Sequence, residues 1–272
     1  MRYSLTLSAL LIIMSFTIRA QSSSTLMGAR SSGMGYASSC LADEWSLFNN
    51  VAGMAQVKHP TAGFSYDAHP SFKNFNKTAA IFAMPLKVGV AGVGLYRFGD
   101  AQYNEQIMSG AFSSSFGLAS LGVNINYIQY NIEGFGRKDA VSVSVGGIAT
   151  ITPILSVGAY ITNINQPKLS AHDNERLPTV LTLGVLIKIV STLNVTTEIR
   201  KDLEYDPTLK VGLEYNLHTK FFFRTGLNVN PNAAFFGFGL KSKKIKLDYA
   251  YAFSLDLLGR HQATVSYQLK SK

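Results

Sequence analysis

The chain has 272 residues, of which 15% are charged and 47% apolar, and its formal charge is +9. That is lean in charge for a soluble protein, yet beyond residues 1–20 no apolar run is long enough for a spanning helix, so a helical membrane protein is excluded and a barrel that crosses with strands is favoured. The basic residues are scattered; even the densest group, Lys241, Lys243, Lys244 and Lys246, lacks the interleaved aromatics of a nucleic-acid face and reads as a charged turn near lipid headgroups, so no nucleic acid is expected as a partner.

Residues 1–20 carry Arg2, an apolar core from Leu5 to Ile18, and Ala20 before Gln21. This is the pattern of a secretory leader cleaved after Ala20. Gly28 to Ala55 follows, with small residues (Gly28, Ala29, Ser31, Ser32, Gly33, Gly35) that let the backbone approach another surface closely and take positive φ. Asp43 is a good N-cap for a short helix carrying Trp45, Leu47 and Phe48; Asn49 and Asn50 end it, and Gly53 releases the chain. Cys40 is the sole cysteine, which excludes an intramolecular disulfide, and it reads as a small buried residue.

From Thr61 onward, segments of about ten residues alternate in polarity between turn residues, the signature of transmembrane strands. Fourteen are expected: Thr61 to Ala68, Lys77 to Pro85, Val88 to Phe98, Tyr103 to Ser114, Ala119 to Ile132, Ala140 to Ile151, Leu155 to Ile164, Thr179 to Val190, Leu193 to Asp202, Thr208 to Leu217, Lys220 to Asn228, Ala233 to Lys241, Ile245 to Leu255 and Gln262 to Lys270. In the thirteenth, Leu247, Tyr249, Tyr251 and Phe253 share one face and Lys246, Asp248, Ala250 and Ala252 the other. A soluble sandwich also makes one apolar face, but links after even-numbered strands are short and those after odd-numbered strands longer, which is how a barrel arranges its two rims. Gln166 to Pro178 is the largest expected loop. Tyr66, Phe98, Tyr103, Tyr130, Tyr215, Phe221 and Tyr267 are placed near strand ends for interfacial girdles.

Little catalytic chemistry is legible. The five histidines are scattered as rim residues without a second ligand at metal spacing, no nucleophile elbow appears, and Gly92-x-Gly94 opens no helix, so the reading is neither an enzyme nor a holder of metal or cofactor. Lys188, Glu198, Arg200, Lys210, Glu214, Arg224, Lys246 and Asp248 fall on expected lumen faces, either paired with one another or lining a polar pore. In the third strand the apolar phase of Val88 and Val90 shifts to Val93 and Leu95 across Ala91-Gly92, which with Gly89 and Gly94 suggests a bulge or kink.

The N-terminal order Gly28-Ala29-Arg30, Gly33-Met34-Gly35, Leu41-Ala42-Asp43, Leu47-Phe48 and Asn50-Val51-Ala52-Gly53 resembles the signature of FadL-like outer-membrane barrels, especially the PorV/PorQ group of Bacteroidota, although Val51 stands where that family usually has proline. The resemblance implies a β-barrel in the outer membrane with residues 21–58 as a plug and residues 59–272 as the wall; the leader, the even strand count and the short links on one rim place both chain ends in the periplasm. The resemblance also implies plug or ligand-pocket roles for Arg30, Met34, Asp43, Trp45, Leu47, Phe48 and Asn50, and a lateral opening at Gly89, Gly92 and Gly94 of the third strand. Two functions follow from it. One is passage or binding of a small hydrophobic molecule; the other is docking of secretion-system proteins of the type IX pathway. Outer-membrane lipid is a partner in both.

Overall fold

The computed structural model describes residues 24–169, 176–203, 205–254 and 258–270; the expected leader lies outside them. Fourteen strands form the wall: β1 (Thr61–Ala68), β2 (Lys77–Leu86), β3 (Gly89–Gly99), β4 (Tyr103–Phe116), β5 (Ala119–Ile132), β6 (Gly136–Thr152), β7 (Leu155–Thr162), β8 (Val180–Val190), β9 (Leu193–Asp202), β10 (Thr208–His218), β11 (Phe221–Val229), β12 (Ala233–Lys241), β13 (Ile245–Ser254) and β14 (Leu258–Gln268). Every strand pairs antiparallel with its sequence neighbours, and β1 pairs with β14 to close the cylinder. Closure matters because lipid offers no hydrogen-bond partner to an open sheet edge.

Side chains alternate residue by residue. Along β13, Leu247, Tyr249 and Phe253 are exposed outward, whereas Asp248, Ala250 and Ala252 are buried inward. Val93, Leu95, Met108, Leu121, Leu227 and Phe236 continue the apolar exterior round the wall. So extensive an exposed apolar surface is stable against lipid and aggregation-prone in water. The rims differ as expected: 87–88, 117–118, 153–154, 191–192 and 219–220 are tight turns at one end, and 69–76, 163–179 and 203–207 are longer loops at the other.

Several expectations are corrected. β6 begins at Gly136 rather than Ala140 because it extends through Arg137, Lys138 and Asp139, which are polar on both faces, and β14 begins at Leu258 rather than Gln262, through Gly259, Arg260 and His261, where no apolar alternation marks the strand. The bulge expected in β3 is absent: its register with β2 and with β4 runs unbroken. The phase shift arises because Val90 turns inward onto an apolar interior, so both faces of this strand are oily there. Phe98 and Tyr130 belong to that interior too, and Tyr103, in the inward phase of β4, stands edge-on to Phe98 inside the barrel, whereas Tyr66, Tyr215, Phe221 and Tyr267 do lie on the outer face near strand ends. His69 lies at the rim as expected, in the β1–β2 loop, but is buried there with its ring edge-on to Phe75, and Lys188 is exposed beyond the lumen at the end of β8. Gly53 does not end the N-terminal helical region; it lies within a second short helix, pressed against the Leu41 carbonyl and Ser46.

Candidate functional site

The N-terminal segment runs inside the barrel and touches the wall nearly all the way round. Gly28, at φ 105°, turns the chain into α1 (Ala29–Gly33), whose first amide donates to Thr264 Oγ1 on β14 at 2.9 Å. Gly33 lies so close to β12 that a Cβ there would come within 2.9 Å of the Gly237 Cα. Gly35 and Tyr36, at φ 66° and 57°, reverse the backbone towards β9, where the Ser38 and Ser39 amides donate to Glu198 Oε2 at 2.9 and 2.7 Å. Cys40 Sγ donates to the carbonyls of Gly184 and Ser156, and burial pushes its thiol pKa up to about 11, which fits an inert packed residue.

Two 3-10 helices follow, Glu44–Phe48 and Val51–Gln56. Asp43 caps the first, as expected, by accepting from the Trp45 amide at 3.0 Å, and Ser46 completes a capping box. Trp45 Nε1 donates to Ser266 Oγ on β14. Asn50 caps the second helix and donates to the Ser39 and Gly147 carbonyls at 2.7 and 3.0 Å, binding two parts of the segment to β6.

The wall makes room with glycine. Three glycine pairs face each other directly across neighbouring strands: Gly122 with Gly146, Gly158 with Gly184, and Gly212 with Gly226. Against them lie Val51 and Asn50, then Ser39, then Met34 and Gly35. Gly92 and Gly94 of β3 serve the same purpose for Met54, Leu47 and Phe48, while Gly89 opens β3 directly after the tight turn. Glycine at a strand position where another backbone or a large side chain approaches closely is the physical reason for this pattern.

The interior is divided by polarity. On the β9–β13 side, Arg30 grips Glu214 with two hydrogen bonds of 2.8 and 2.7 Å and reaches Asp43 at 3.0 Å. Glu214 also accepts from Arg224, which binds Asp248 at 2.7 Å; Lys246 approaches Asp248 at 3.4 Å. Glu198 pairs with Lys210 at 2.7 Å. Six of the eight expected lumen charges (Glu198, Lys210, Glu214, Arg224, Lys246 and Asp248) thus pair with one another, and Arg30 and Asp43 of the segment join the group around Glu214; Arg200 faces a cavity instead. Burial raises the Asp43 pKa, but Lys246 and Arg30 outweigh it and hold the carboxyl below its ordinary 3.8.

The β2–β6 side carries an apolar cluster, set among polar residues such as Glu105, Ser109 and Asn124. Met27, Trp45, Leu47, Phe48, Val51 and Met54 pack with Ile81, Val90, Tyr96, Ile107, Ile128 and Tyr130, and Leu177 from the β7–β8 loop joins them. A cavity of about 830 Å³ lies over this floor and reaches the loop rim, with Leu47, Phe48, Val51, Ile107, Ile128 and Leu177 on its apolar side and Lys77, Arg200 and Arg260 on its polar side. Of the pocket residues expected from sequence, Leu47 and Phe48 border it. Trp45 is buried in the same cluster as the floor, Met34 packs elsewhere with Cys40, Leu41 and Leu186, and Arg30, Asp43 and Asn50 hold the segment in place. Ile107, Ile128 and Leu177 were not anticipated, although the inward phase of β4 and β5 carries the first two. No cluster of metal-ligating side chains occurs among the described residues.

A closed antiparallel cylinder, apolar outside and filled by its own N-terminal segment, defines the fold of a transmembrane β-barrel. Among solved structures it is similar to the toluene transporter TbuX of Ralstonia pickettii (TM-score 0.71, 12% identity, covering 92% of this chain and 99% of that one) and to the toluene transporter TodX of Pseudomonas putida (0.71, 12%, 92% and 100%). It is also similar to a FadL homologue of Pseudomonas aeruginosa (0.64, 11%, 92% and 99%). At these identities the likeness establishes the shared fold; no protein-family model and no curated protein matches the chain.

Proposed function

We propose that this protein is a FadL-like outer-membrane channel that takes small hydrophobic molecules from the loop side into its lumen. The observation that carries the reading is the continuous apolar sector joining the cavity wall (Ile107, Ile128, Leu177) to the floor (Leu47, Phe48, Val51). An apolar guest gains by leaving water for such a surface. The toluene transporters to which the chain is similar share its barrel fold, which supports this reading.

In this reading the loops face outward, and the tight turns and chain ends face the periplasm. The onward route follows from the floor: Met54, Leu47 and Phe48 cover Gly92 and Gly94, where the inner face of β3 is bare of side chains, so displacement of these three residues would bring a guest directly against the thin wall. The narrower PorV/PorQ likeness, with a docking role in type IX secretion, has no comparable observation behind it. The connections 100–102 and 133–135 on the loop rim are short, leaving little surface for holding a partner.

Trp45 is the single tryptophan and packs on Phe48 with ring centroids 6.5 Å apart, so it reports on the floor. Toluene titrated into the purified barrel is expected to change Trp45 emission saturably, and liposomes carrying the barrel to take up toluene faster than empty ones, with maltose giving neither response. A folded barrel in which toluene and maltose behave alike would overturn the proposal.

A further inference from the structure

The charges of this protein are sorted between its two ends. Lys58, Lys87, Lys188, Lys220 and Lys270 stand exposed at the turn end, close to tight turns or the chain end. Lys241, Lys243 and Lys244 crowd the β12–β13 turn between them. Against these, the carboxylates at this end among the described residues are Asp43 and Glu44, both only partly accessible, and Asp43 is already engaged by Arg30. The loop end is mixed: Asp100, Glu133, Asp139 and Asp206 stand among Lys73, Arg137, Lys138 and Lys201.

Between the lysine-bearing turns the same rim exposes apolar tips. Val88 is 72% accessible, Phe116 63%, Leu118 74% and Ile154 59%. A turn surrounded only by water has no use for such side chains, whereas a rim at the level of the glycerol and phosphate groups would bury the tips among acyl chains and raise the lysine ammoniums to the phosphates. Both observations select the same surroundings.

We infer that the turn rim is a binding surface for anionic glycerophospholipid headgroups, and that it holds a shell of phosphatidylglycerol-type lipid in the leaflet it occupies. The inference rests on the outer-membrane reading above and adds the lipid class and the residues that select it. Attraction is cumulative, since each lysine near an anionic surface contributes and the effect fades within a screening length.

The test reconstitutes the barrel in vesicles of equal phosphatidylcholine and phosphatidylglycerol, extracts it in mild detergent, and measures the lipid that stays bound. Phosphatidylglycerol is expected to be enriched by about threefold or more with several lysines acting together. The enrichment should hold at about 0.15 M salt and vanish at about 1 M, as the screening length falls from about 8 to about 3 Å. Replacing Lys241, Lys243 and Lys244 together by Gln should lower it, and Lys73→Gln at the loop end should not. Parity of the two lipids in the wild type, equal loss in the Lys73 variant, or stronger retention of lipopolysaccharide or of an acidic periplasmic protein at this rim would each overturn the inference. Insertion is read separately from the gel mobility of unheated samples: a barrel that inserts but retains both lipids equally overturns this inference alone, and a chain that never inserts overturns the membrane reading with it.

Discussion

Adding a single methyl group at Gly226 tests whether the wall and the N-terminal segment are fitted to each other. A Cβ at this position would press on the Gly35 amide nitrogen and the Met34 carbonyl carbon, and would come within 2.9 Å of the Gly35 Cα. All three are backbone atoms, so no flexible side chain can swing aside, and ordinary contact at 3.4 Å or more requires the segment to retreat by about 1 Å. Overpacking of this kind costs about 1–3 kcal/mol. The loss falls on the segment, because the outer face of β11 and its ladder with β10 are untouched. The retreat would also strain the Lys210–Tyr36 and Glu198–Ser38 hydrogen bonds on either side. Trypsin cleavage at Arg30, shielded inside the barrel, measures how often the segment comes free. At tenfold per 1.4 kcal/mol, Gly226→Ala is expected to speed cleavage about five- to a hundredfold. Gly110→Ala is the control: its Cβ meets nothing within 4 Å, and the change should leave cleavage at the wild-type rate. Equal cleavage in wild type, Gly226→Ala and Gly110→Ala would refute the claim that the wall glycines exist to seat the segment.

Three further outcomes are expected. Glu214→Gln leaves Arg30 paired with Asp43 alone and Arg224 with Asp248 alone and should cost about 1–3 kcal/mol in guanidinium unfolding, more than Asp139→Asn, whose Arg137 partner is half exposed. The Asp43 carboxyl has a folded pKa below its ordinary 3.8, so its contribution is fully present above that value and is lost only as pH falls through the lowered one. An acid titration followed by Trp45 emission should accordingly show no Asp43-dependent step above about pH 4.5, judged by comparison with Asp43→Asn. Ile107→Asn puts an amide without a partner into the apolar sector, and toluene affinity measured by Trp45 emission should fall about tenfold while unheated gel mobility stays that of the folded barrel.

The strand number was legible because nearly every strand meets lipid on one side and a filled lumen on the other, so the polarity of Leu193 to Asp202 or Ile245 to Ser254 alternates in step with the pleat. Where that contrast vanishes the sequence misleads. β3 looks bulged because Val90 serves an interior as oily as the exterior, and the first residues of β6 look like loop because Gly136 to Asp139 are polar on both faces. Asp43 was readable as a cap because capping needs only local spacing. The glycine pairs were not: Gly212 and Gly226 lie apart in the chain, and only the register shows that they stand opposite each other beneath Met34. Nor could the division of the lumen into ionic and oily sectors be read, since it depends on which strands the segment lies beside.

The order of the chain gives the seam a further meaning. The segment that touches wall strands all round the lumen is made before any of them, and the cylinder is sealed last in sequence, where Thr61 meets Gln268. Loop-closure entropy makes so distant a pairing the slowest contact to establish. A sheet growing round a core already in position would have its curvature and circumference gauged before the first and last strands join, so the polypeptide supplies the mandrel on which its own hoop is wound.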